Sequence, residues 1–484
     1  MKVLAFDFGA SSGRAILGSL ENGKIVLEEV HRFDNEPVSI NGGFYWDLAR
    51  LFHEVKQGIR KVKDVDFKSI GIDTWGVDYA LIGKNGKLLS NPYNYRDDRT
   101  AQPIEEVKKL MSDKELYSAT GIQKMTFNTI YQLLAHKMQE TDMYNIADKF
   151  LMIPELFGYL LTGKVYGEKS TASTTALLEP YTKEWNWELI DKIGLKRELF
   201  PELVNPGTTV GVITDDICEE LGIDAKTVVA VAGHDTASAV AAVPASEDSF
   251  VYISCGTWSL FGTELKSPCI SEKSAELDIT NETGYGNTTR FLKNIIGLWI
   301  IQETRRQFKR DGKDYSYADM EKMAREAEPF KCFIDPDDPV FMPPGNQVQR
   351  IKDYCKKTGQ AVPETDGEVV RCIYESLALK YKHTFNSLKE CTGSDFKAIH
   401  MVGGGTKDGF LCQMTADATK TPVIAGPIEA TAAGNVAVQL IAAGEIKDLA
   451  EARKIIADSF DVVHYEPTAD SGFDKAYERY VTLL

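Results

Sequence analysis

The stretch KVLAFDFGASSGRAILGSL, from Lys2 to Leu20, determines the fold predicted for the first half of the chain. An apolar run ends at Asp7, small residues fill positions 9–13, and a second apolar run follows Arg14. This pattern predicts a buried strand, a tight turn and a second strand that folds back on the first. Turn amides and hydroxyls beside Arg14 suit an anion such as a phosphate chain, and Asp7 suits a hydrated Mg²⁺ ion. An ordinary Gly/Ser hairpin without a ligand fits the same stretch.

The composition describes an ordinary globular protein with more than one core. The chain has 484 residues, of which 43% are hydrophobic and 26% are charged, so we expect two domains or more. A net charge of −16 disfavours nucleic acid and anionic membranes as partners. The N-terminus lacks the basic start and apolar stretch of a secretory signal, so we expect a cytoplasmic protein.

The cysteine pattern signals no metal or redox motif. Eight cysteines are scattered through the chain and none forms a CxxC pair. We therefore expect buried or free thiols.

In two further segments, residues that could take part in catalysis or binding follow the ends of predicted strands. The run at residues 228–232 predicts a buried parallel strand, and Asp235 follows it in the sequence GHDT. In open α/β sheets ligands bind outside the carboxyl ends of the strands, so Asp235 is a candidate for chemistry, with a helix N-cap as the alternative. A strand at residues 69–72 ends in Asp73–Gly76, a candidate binding loop in which Gly76 indicates a bulge or a close ligand.

The second half of the chain begins with the same plan as the first. Residues 250–265 predict a strand, a Gly-containing turn and a second strand. This repeat indicates two similar lobes with a boundary near residue 245, although coincidence is the alternative. A helix is predicted from Leu292 to Gln302, with Asn294 and Gln302 on one face. Three glycines at 403–405 join a strand to a helix, which lets a flat ring or a phosphate reach the backbone or simply permits a close turn.

Common nucleotide-binding motifs are missing from this sequence. Residues 18–25 nearly match a P-loop, but Ile25 stands where Ser or Thr must hold Mg²⁺, and no GxGxxG follows a strand. Eight other segments occur in order along the chain: FDFGASSGR, GIDTWGVD, YRDDRT, GHDTASAV, SCGTWSL, LKNIIGLW, HMVGGG and AGPIEA. Together they resemble the FGGY carbohydrate kinases from end to end.

This resemblance implies an α/β fold of two RNase H-like, actin-like ATPase domains with a cleft between them. The first domain, residues 1–245, is expected to bind sugar and phosphate, and the second, residues 246–484, to bind the nucleotide. The resemblance also implies that Cys355 and Cys372 lie near each other, and the sequence leaves open whether they are bonded.

The resemblance carries roles over to particular residues of this chain. It implies that the ATP phosphates are contacted by Ala10, Ser11, Ser12, Gly13 and Arg14. It implies that Asp7 helps to position Mg²⁺ and that the nucleotide site is completed by Thr257, Gln302 and Gly404. It implies a sugar site formed by Gly76, His234, Thr236 and Asn294, with Asp235 as the catalytic base. The roles of Thr406, Lys407 and Asp408 stay open.

The expected reaction is ATP- and Mg²⁺-dependent phosphorylation of a ketose at O1, with L-rhamnulose as the expected acceptor. Another ketose such as L-fuculose is the nearest alternative, because loops read the stereochemistry of the hydroxyl groups. A non-catalytic, sugar-binding, actin-like regulatory protein is the alternative from a different class. We expect no nucleic-acid or membrane partner, and a monomer or small homo-oligomer.

Overall fold

The computed structural model describes residues 1–247 and 249–484, which form two compact units. The first unit comprises residues 1–246, 264–291 and 430–460, and the second comprises residues 247–263, 292–429 and 461–484. The domain ranges 1–245 and 246–484 stay a prediction. Among the described residues, no helix combines the length and the apolar character needed to cross a membrane.

The strands are numbered in chain order. They are β1 (Lys2–Phe8), β2 (Ser12–Glu21), β3 (Lys24–Asp34), β4 (Val38–Ile40), β5 (Gly43–Tyr45), β6 (Ser69–Thr74), β7 (Tyr79–Gly83), β8 (Ala147–Met152), β9 (Gly167–Glu168), β10 (Leu203–Val204), β11 (Thr208–Val212), β12 (Thr227–Ala230), β13 (Val251–Cys255), β14 (Trp258–Leu265), β15 (Thr280–Thr283), β16 (Thr289–Ile296), β17 (Ile399–Val402), β18 (Val423–Ala425) and β19 (Val463–Tyr465).

The α-helices are numbered in the same way. They are α1 (Leu48–Lys61), α2 (Ala101–Leu110), α3 (Asp113–Thr120), α4 (Thr129–Gln139), α5 (Thr141–Ile146), α6 (Ile153–Thr162), α7 (Lys169–Ser173), α8 (Trp187–Lys192), α9 (Asp215–Leu221), α10 (Asp235–Ala241), α11 (Glu272–Glu276), α12 (Trp299–Arg310), α13 (Tyr317–Glu326), α14 (Gln347–Lys357), α15 (Asp366–Thr392), α16 (Gly409–Thr419), α17 (Ala430–Ala442), α18 (Leu449–Ser459) and α19 (Phe473–Tyr480).

The first unit is organised around a six-stranded sheet in the order β11-β12-β6-β1-β2-β3. The predicted hairpin is present, because β1 and β2 pair antiparallel, and β3 continues the meander. On its other edge β1 pairs parallel with β6, and β6 pairs parallel with β12. The carboxyl ends of β1, β6 and β12 therefore meet at one edge of the sheet, where ligands bind in open α/β sheets.

The second unit repeats this plan with the strands β14, β13, β17, β18 and β19 in that order. β13 pairs antiparallel with β14 and parallel with β17, and β17 pairs parallel with β18. β19 closes this edge in antiparallel pairing with β18. The predicted repeat of strand, turn and strand is thus present at the start of both sheets.

The packing of the first sheet follows from its sequence pattern. β1 is almost entirely buried, as expected for an apolar central strand. One face of α1 carries Leu51, Val55 and Ile59, all buried in the core beneath the sheet, and Asp47 caps its first turn. Gly18 of β2 lies against α17, where an added Cβ would lie 2.3 Å from Val436.

One predicted helix differs from the structure. The helix predicted from Leu292 is wrong in its first part, because residues 289–296 form β16 and α12 begins only at Trp299. Gly297 separates the two elements, and a Cβ there would lie 2.3 Å from Ser259 Oγ, so close packing decides the break.

Candidate active site

The first hairpin is tied together around its tip. The N–H of Gly9 donates to the carbonyl of Ser12 at 2.8 Å, and the Asn35 side chain donates to the carbonyl of Gly9 at 2.9 Å. Gly13 cannot carry a side chain, because an added Cβ would lie 2.2 Å from the ring of Phe33. Ser11 at the tip is exposed, and Ala10 and Ser12 are half-buried. The tip is therefore a fixed, accessible loop of small residues.

Asp7 and Arg14 face each other across the hairpin. They are register partners in β1 and β2, and Arg14 Nη2 donates to Asp7 Oδ2 at 2.5 Å. Both side chains are mostly buried, so the pair holds a positive and a negative group at the base of the tip. Charge-assisted hydrogen bonds of this kind fix geometry strongly.

Asp73 lies beside Asp7 at the end of the neighbouring parallel strand. The two are register partners in β1 and β6, and Asp73 is completely buried. One carboxylate oxygen of Asp73 accepts from Asn435 Nδ2 at 2.6 Å, while no donor among the described residues bonds to Oδ1. Burial, and then the charge of Asp7, raise the pKa of Asp73 well above its usual range. Asp235 raises it further, so three carboxylates interact at this sheet edge.

The residues at this acidic edge of the sheet are suitable ligands for a magnesium ion. Carboxylate oxygens are the protein ligands that Mg²⁺ prefers, and a dication relieves the repulsion between neighbouring carboxylates. Within the described part of the chain the buried Oδ1 of Asp73 has no partner, so this oxygen can coordinate a cation or accept a hydrogen bond from a water bound to it. Asp73 begins the predicted binding loop Asp73–Gly76 but was not predicted to bind a metal, although its position at the end of the strand beside β1 was a usable signal.

The loop after β12 positions Asp235 at the start of α10. The N–H and hydroxyl of Thr236 both donate to Asp235 Oδ1, at 2.5 and 3.0 Å, and these contacts leave out Oδ2. The Asp235 side chain is 32% exposed, so a small molecule can reach it. Behind the loop, the N–H of Gly233 donates to Glu168 Oε2 at 3.0 Å. Thr236 thus holds Oδ1 of the Asp235 carboxylate, Oδ2 takes no part in these two contacts, and Glu168 fixes the loop that precedes the helix.

His234 connects Asp235 to a buried ion pair. Its Nε2 lies 3.5 Å from Asp235 Oδ1, and its Nδ1 lies 3.1 Å from Arg290 Nη2 and 3.3 Å from Glu282 Oε2. Arg290 is completely buried and pairs with Glu282 at 3.1 Å. Because a guanidinium only donates, Arg290 bonded to Nδ1 favours the tautomer with its proton on Nε2, toward Asp235. Neither Glu282 nor Arg290 carries a motif that sequence reasoning could read.

Gly76 lies next to a strained residue. Val77 has a φ of +65°, which is rare for a β-branched side chain. Its N–H donates to Thr174 Oγ1 at 3.0 Å, and its carbonyl accepts from Thr129 Oγ1 at 2.6 Å. A Cβ on Gly76 would lie 2.9 Å from Thr174, so only glycine fits there. Strain of this kind clusters at ligand sites, which agrees with the predicted binding loop.

In the second unit, backbone hydrogen bonds place Thr257 and Gln302 at the start of α12. The carbonyl of Thr257, in the turn between β13 and β14, accepts from the N–H of Trp299 at 3.1 Å. Gln302 lies in the first turn of that helix, where its own N–H donates to the carbonyl of Leu298. Asn294 lies on β16, so the predicted shared helix face with Gln302 is wrong.

The glycine loop after β17 has one open and two packed positions. A Cβ on Gly405 would lie 2.2 Å from Cys255 Sγ, and one on Gly403 would lie 3.0 Å from the carbonyl of Cys255. Gly404 has no atom within 4 Å of its Cβ position. Gly403 and Gly405 therefore pack the loop against β13, while the Cβ position of Gly404 faces open space. Asp408, whose role the sequence left open, caps α16 by accepting from the N–H of Leu411 at 3.0 Å.

Comparison with known proteins identifies the family. The model of the FGGY family of carbohydrate kinases, N-terminal domain, matches residues 2–242, and the model of the C-terminal domain matches residues 251–443. The chain belongs to the FGGY family of carbohydrate kinases. The resemblance read from the sequence motifs is thereby confirmed, and so is the prediction that the chain is a carbohydrate kinase.

Similar curated proteins cover nearly the whole chain. The rhamnulokinase of Oceanobacillus iheyensis is 44% identical over 97% of this chain and 99% of its own length. The rhamnulokinase of Bacteroides thetaiotaomicron is 42% identical over 98% of this chain and 97% of its own length. The rhamnulokinase of Bacillus subtilis is 41% identical over 96% of this chain and 95% of its own length.

Solved structures of other kinases share the fold. The xylulose kinase from Lactobacillus acidophilus superimposes with a TM-score of 0.82 at 20% identity, covering 100% of this chain and 97% of that one. The glycerol kinase from Plasmodium falciparum, solved with ADP, gives a TM-score of 0.79 at 16% identity over 100% and 96% of the two chains. The predicted two-domain α/β fold of the actin-like ATPase type is confirmed.

Proposed function

We propose that this kinase transfers the γ-phosphoryl group of ATP to O1 of L-rhamnulose, in L-rhamnose catabolism. The observation that carries the proposal is Asp235, held through Oδ1 at the start of α10, after β12, with its side chain accessible. The rhamnulokinases that are 41–44% identical over nearly the full chain support the choice of sugar.

Asp235 acts as the general base in this proposal. Its carboxylate accepts the proton of the O1 hydroxyl while O1 forms a bond to the γ-phosphorus and the bond from that phosphorus to the β-phosphate oxygen breaks. The products are the sugar 1-phosphate and ADP, and the proton leaves Asp235 for solvent. Phosphoryl transfer requires mainly alignment and neutralisation of charge, so one carboxylate in the right place suffices.

The acidic edge of the first sheet supplies the proposed Mg²⁺ site. Asp7 and Asp73 would hold the ion, directly or through its water ligands. When bound, Mg²⁺ neutralises charge on the phosphates of ATP. Arg14 orients Asp7 through its ion pair and adds a positive charge beside the phosphate-binding tip.

The remaining roles divide between the two units. Ala10, Ser11, Ser12 and Gly13 offer the phosphates a tip of small residues with backbone amides and hydroxyls. For the nucleotide we propose Thr257, Gln302 and Gly404, supported by the open space at Gly404. For the sugar we propose Gly76, His234, Thr236 and Asn294, supported by the strain at Val77 and the buried partners of His234. The oligomeric state and the cytoplasmic location stay predictions.

The substrate is tested by measuring ADP release with a panel of ketoses. We expect L-rhamnulose to give the highest kcat/KM, with a product phosphorylated at O1 by NMR. A higher kcat/KM with L-fuculose would replace the proposed sugar and keep the proposed reaction. No ketose-dependent ADP release from folded protein would favour the non-catalytic alternative.

Replacing Asp235 tests the proposed base. The variant Asp235→Asn keeps the shape of the side chain and removes its basicity, so kcat should fall by about 10²–10⁴-fold. Binding of ATP, measured by calorimetry, should change little. Asp224→Asn, on the exposed surface of the same unit, is the matched control and should retain full activity. A near-normal kcat for Asp235→Asn would exclude this residue as the base.

A further inference from the structure

Asp78, the last residue of the segment GIDTWGVD, is completely buried and has no cationic partner within the described part of the chain. It follows Val77 in the loop between β6 and β7. Burial raises the pKa of its carboxyl group, and hydrogen bonds oppose that rise. An ionised carboxylate is costly to bury without a counterion, so these hydrogen bonds must stabilise its charge.

Four neutral donors supply these hydrogen bonds, and each comes from a different segment of the first unit. Oδ2 of Asp78 accepts from the indole N–H of Trp46 at 2.7 Å and from that of Trp75 at 3.0 Å. The backbone N–H of Tyr95 donates to the same oxygen at 3.1 Å, and Oδ1 accepts from Gln132 Nε2 at 2.9 Å. The carboxylate therefore connects the segment before α1, the end of β6, the segment before α2, and α4.

The same cluster holds the strained loop at Gly76 and Val77. Gln132 Nε2 donates to the carbonyl of Val77 at 3.3 Å as well as to Asp78. The N–H of Asp78 donates to the carbonyl of Gly76 at 2.8 Å. Trp75 precedes the loop and Asp78 follows it, so the hydrogen bond between their side chains fixes the chain on both sides.

We propose that Asp78 is a positioning residue for the acceptor sugar, because it holds the backbone of Gly76 and Val77 in the conformation that binds the sugar. The inference rests on the proposed function, in which Gly76 contacts L-rhamnulose. Strained backbone persists only where its surroundings fix it, and the φ of +65° at Val77 has such surroundings here. Asp78 is completely buried, so it acts through Trp75 and Gln132 and not by contact with the sugar.

An amide is a poor replacement for the carboxylate in this cluster. All four partners of Asp78 donate hydrogen bonds, whereas an asparagine offers one acceptor oxygen and one NH₂ group that donates. If that oxygen faces the two indoles, the NH₂ group faces Gln132 Nε2. Gln132 is held in its orientation because its Oε1 accepts from Arg99 Nη2 at 3.2 Å. Asp78→Asn should therefore break the bond to Gln132 and loosen the loop at Val77.

Steady-state kinetics of Asp78→Asn test this role. We expect KM for L-rhamnulose to rise about tenfold or more, while kcat and KM for ATP stay within about twofold of the unaltered enzyme. Gln132→Met keeps Asp78 and its indole partners but removes the link to Val77, so it should raise KM for L-rhamnulose about threefold.

The matched control is Ile190→Val. It leaves a small cavity at a buried position of the same unit, outside the hydrogen-bonded cluster of Asp78. This variant should lower the thermal unfolding temperature and leave KM for L-rhamnulose unchanged, which separates a loss of stability from a loss of sugar binding.

Calorimetric titration distinguishes this inference from the proposed function. In Asp78→Asn, the Kd for L-rhamnulose should rise by the same factor as its KM, and the Kd for ATP should stay unchanged. If the unaltered enzyme phosphorylates L-rhamnulose and folded Asp78→Asn keeps both values for the sugar, or loses sugar and ATP binding equally, the positioning role is excluded and the proposed function stands. If Asp78→Asn does not fold, an unchanged KM for L-rhamnulose in Gln132→Met excludes it instead. An unaltered protein that neither binds nor phosphorylates L-rhamnulose would overturn both.

Discussion

The hairpins β1–β2 and β13–β14 have the same topology and opposite chemistry. Each pairs its first strand with a parallel neighbour, β6 in one unit and β17 in the other. Near the turn, the first hairpin pairs Asp7 with Arg14, whereas the second pairs Cys255 with Ser259. One sheet plan thus carries charged groups in the first unit and small, uncharged groups in the second.

The parallel neighbours extend this difference. β6 ends with Asp73 beside Asp7, which concentrates carboxylates at the edge of the first sheet. β17 is followed by Gly403–Gly405, which packs against Cys255 and leaves Gly404 open. Carboxylates suit a cation and a proton transfer, while exposed glycine backbone suits the flat ring of a nucleotide. The chemistry of each sheet edge therefore depends on two or three residues at the ends of its strands.

Among changes that test the contrast between the two hairpins, the largest effect is expected from removing the charge of Asp7. Asp7→Asn keeps the side-chain volume but removes a proposed Mg²⁺ ligand and the partner of Arg14. We expect kcat/KM to fall on the order of 10²-fold, in ADP-release assays at saturating Mg²⁺.

The matched control for this variant is Asp66→Asn, which alters an exposed carboxylate of the same unit. It should leave kcat/KM within about twofold of the unaltered enzyme. If Asp7→Asn behaved like this control, the carboxylate edge would have no part in the reaction, and the contrast between the hairpins would be only structural.

A smaller effect is expected from the glycine loop of the second unit. Gly404→Ala adds a methyl group in open space, where we propose that the nucleotide ring approaches. We expect KM for ATP to rise about tenfold while the thermal unfolding temperature stays unchanged, because the variant blocks the ligand without a clash.

The neighbouring variant Gly405→Ala gives the opposite signature. Its Cβ would lie 2.2 Å from Cys255 Sγ, so the unfolding free energy should fall by about 1–3 kcal/mol. Measuring the unfolding free energy by calorimetry and KM for ATP in both variants separates a loss of stability from a loss of nucleotide binding. Equal destabilisation by both substitutions, without a change in KM for Gly404→Ala, would contradict a ring-binding role for the open position.

The smallest effect concerns the buried carboxylates behind the first sheet edge. Burial, and then the charge of Glu168, raise the pKa of Glu155 to about 8. The folded protein therefore keeps a proton on Glu155 in the range where the unfolded chain has lost it. Its contribution to stability is complete below about 4.5, the usual pKa of a glutamate, and is lost as the pH rises through about 8.

The variant Glu155→Gln mimics the protonated acid at every pH. Relative to this variant, the unaltered protein should lose about 1.4 kcal/mol per pH unit within that window. Thermal unfolding at about pH 6 and about pH 8 should show the difference in unfolding temperature changing by a few degrees. If the unfolding temperatures of the two proteins changed with pH in parallel, Glu155 would titrate as an ordinary carboxylate. The edge of the first sheet would then depend less on buried charge than its carboxylates suggest.

Local patterns were sufficient to predict most of the fold. Apolar runs ended by Asp7, Asp73 and the GHDT segment predicted three strands, because a buried strand must be apolar and its end polar, and only the third of them was predicted to be parallel. The three glycines Gly403–Gly405 predicted a loop between β17 and the next helix, because glycine permits the close turn that such a connection needs. The helix predicted through Asn294 failed, because pairing of β16 in its sheet and the contact of Gly297 with Ser259 outweigh a helical pattern over a short segment.

Long-range contacts lie beyond what sequence patterns show. The orientation of His234 depends on Arg290 and Glu282, which are some 50 positions away and carry no motif. The sulfur atoms of Cys332, Cys355 and Cys372 lie within 4.8 Å of one another, and no local pattern placed Cys332 beside the other two.

By itself, the sequence determined the two strand-turn-strand starts, the carboxylates and glycines at the strand ends, and the family to which the chain belongs. These features are local, because periodicity and turn chemistry act over a few residues. Only the tertiary structure decided which carboxylates interact, which glycine stays open and which thiols meet. Burial and the pairing of distant strands bring those groups together, and no local pattern encodes such distances.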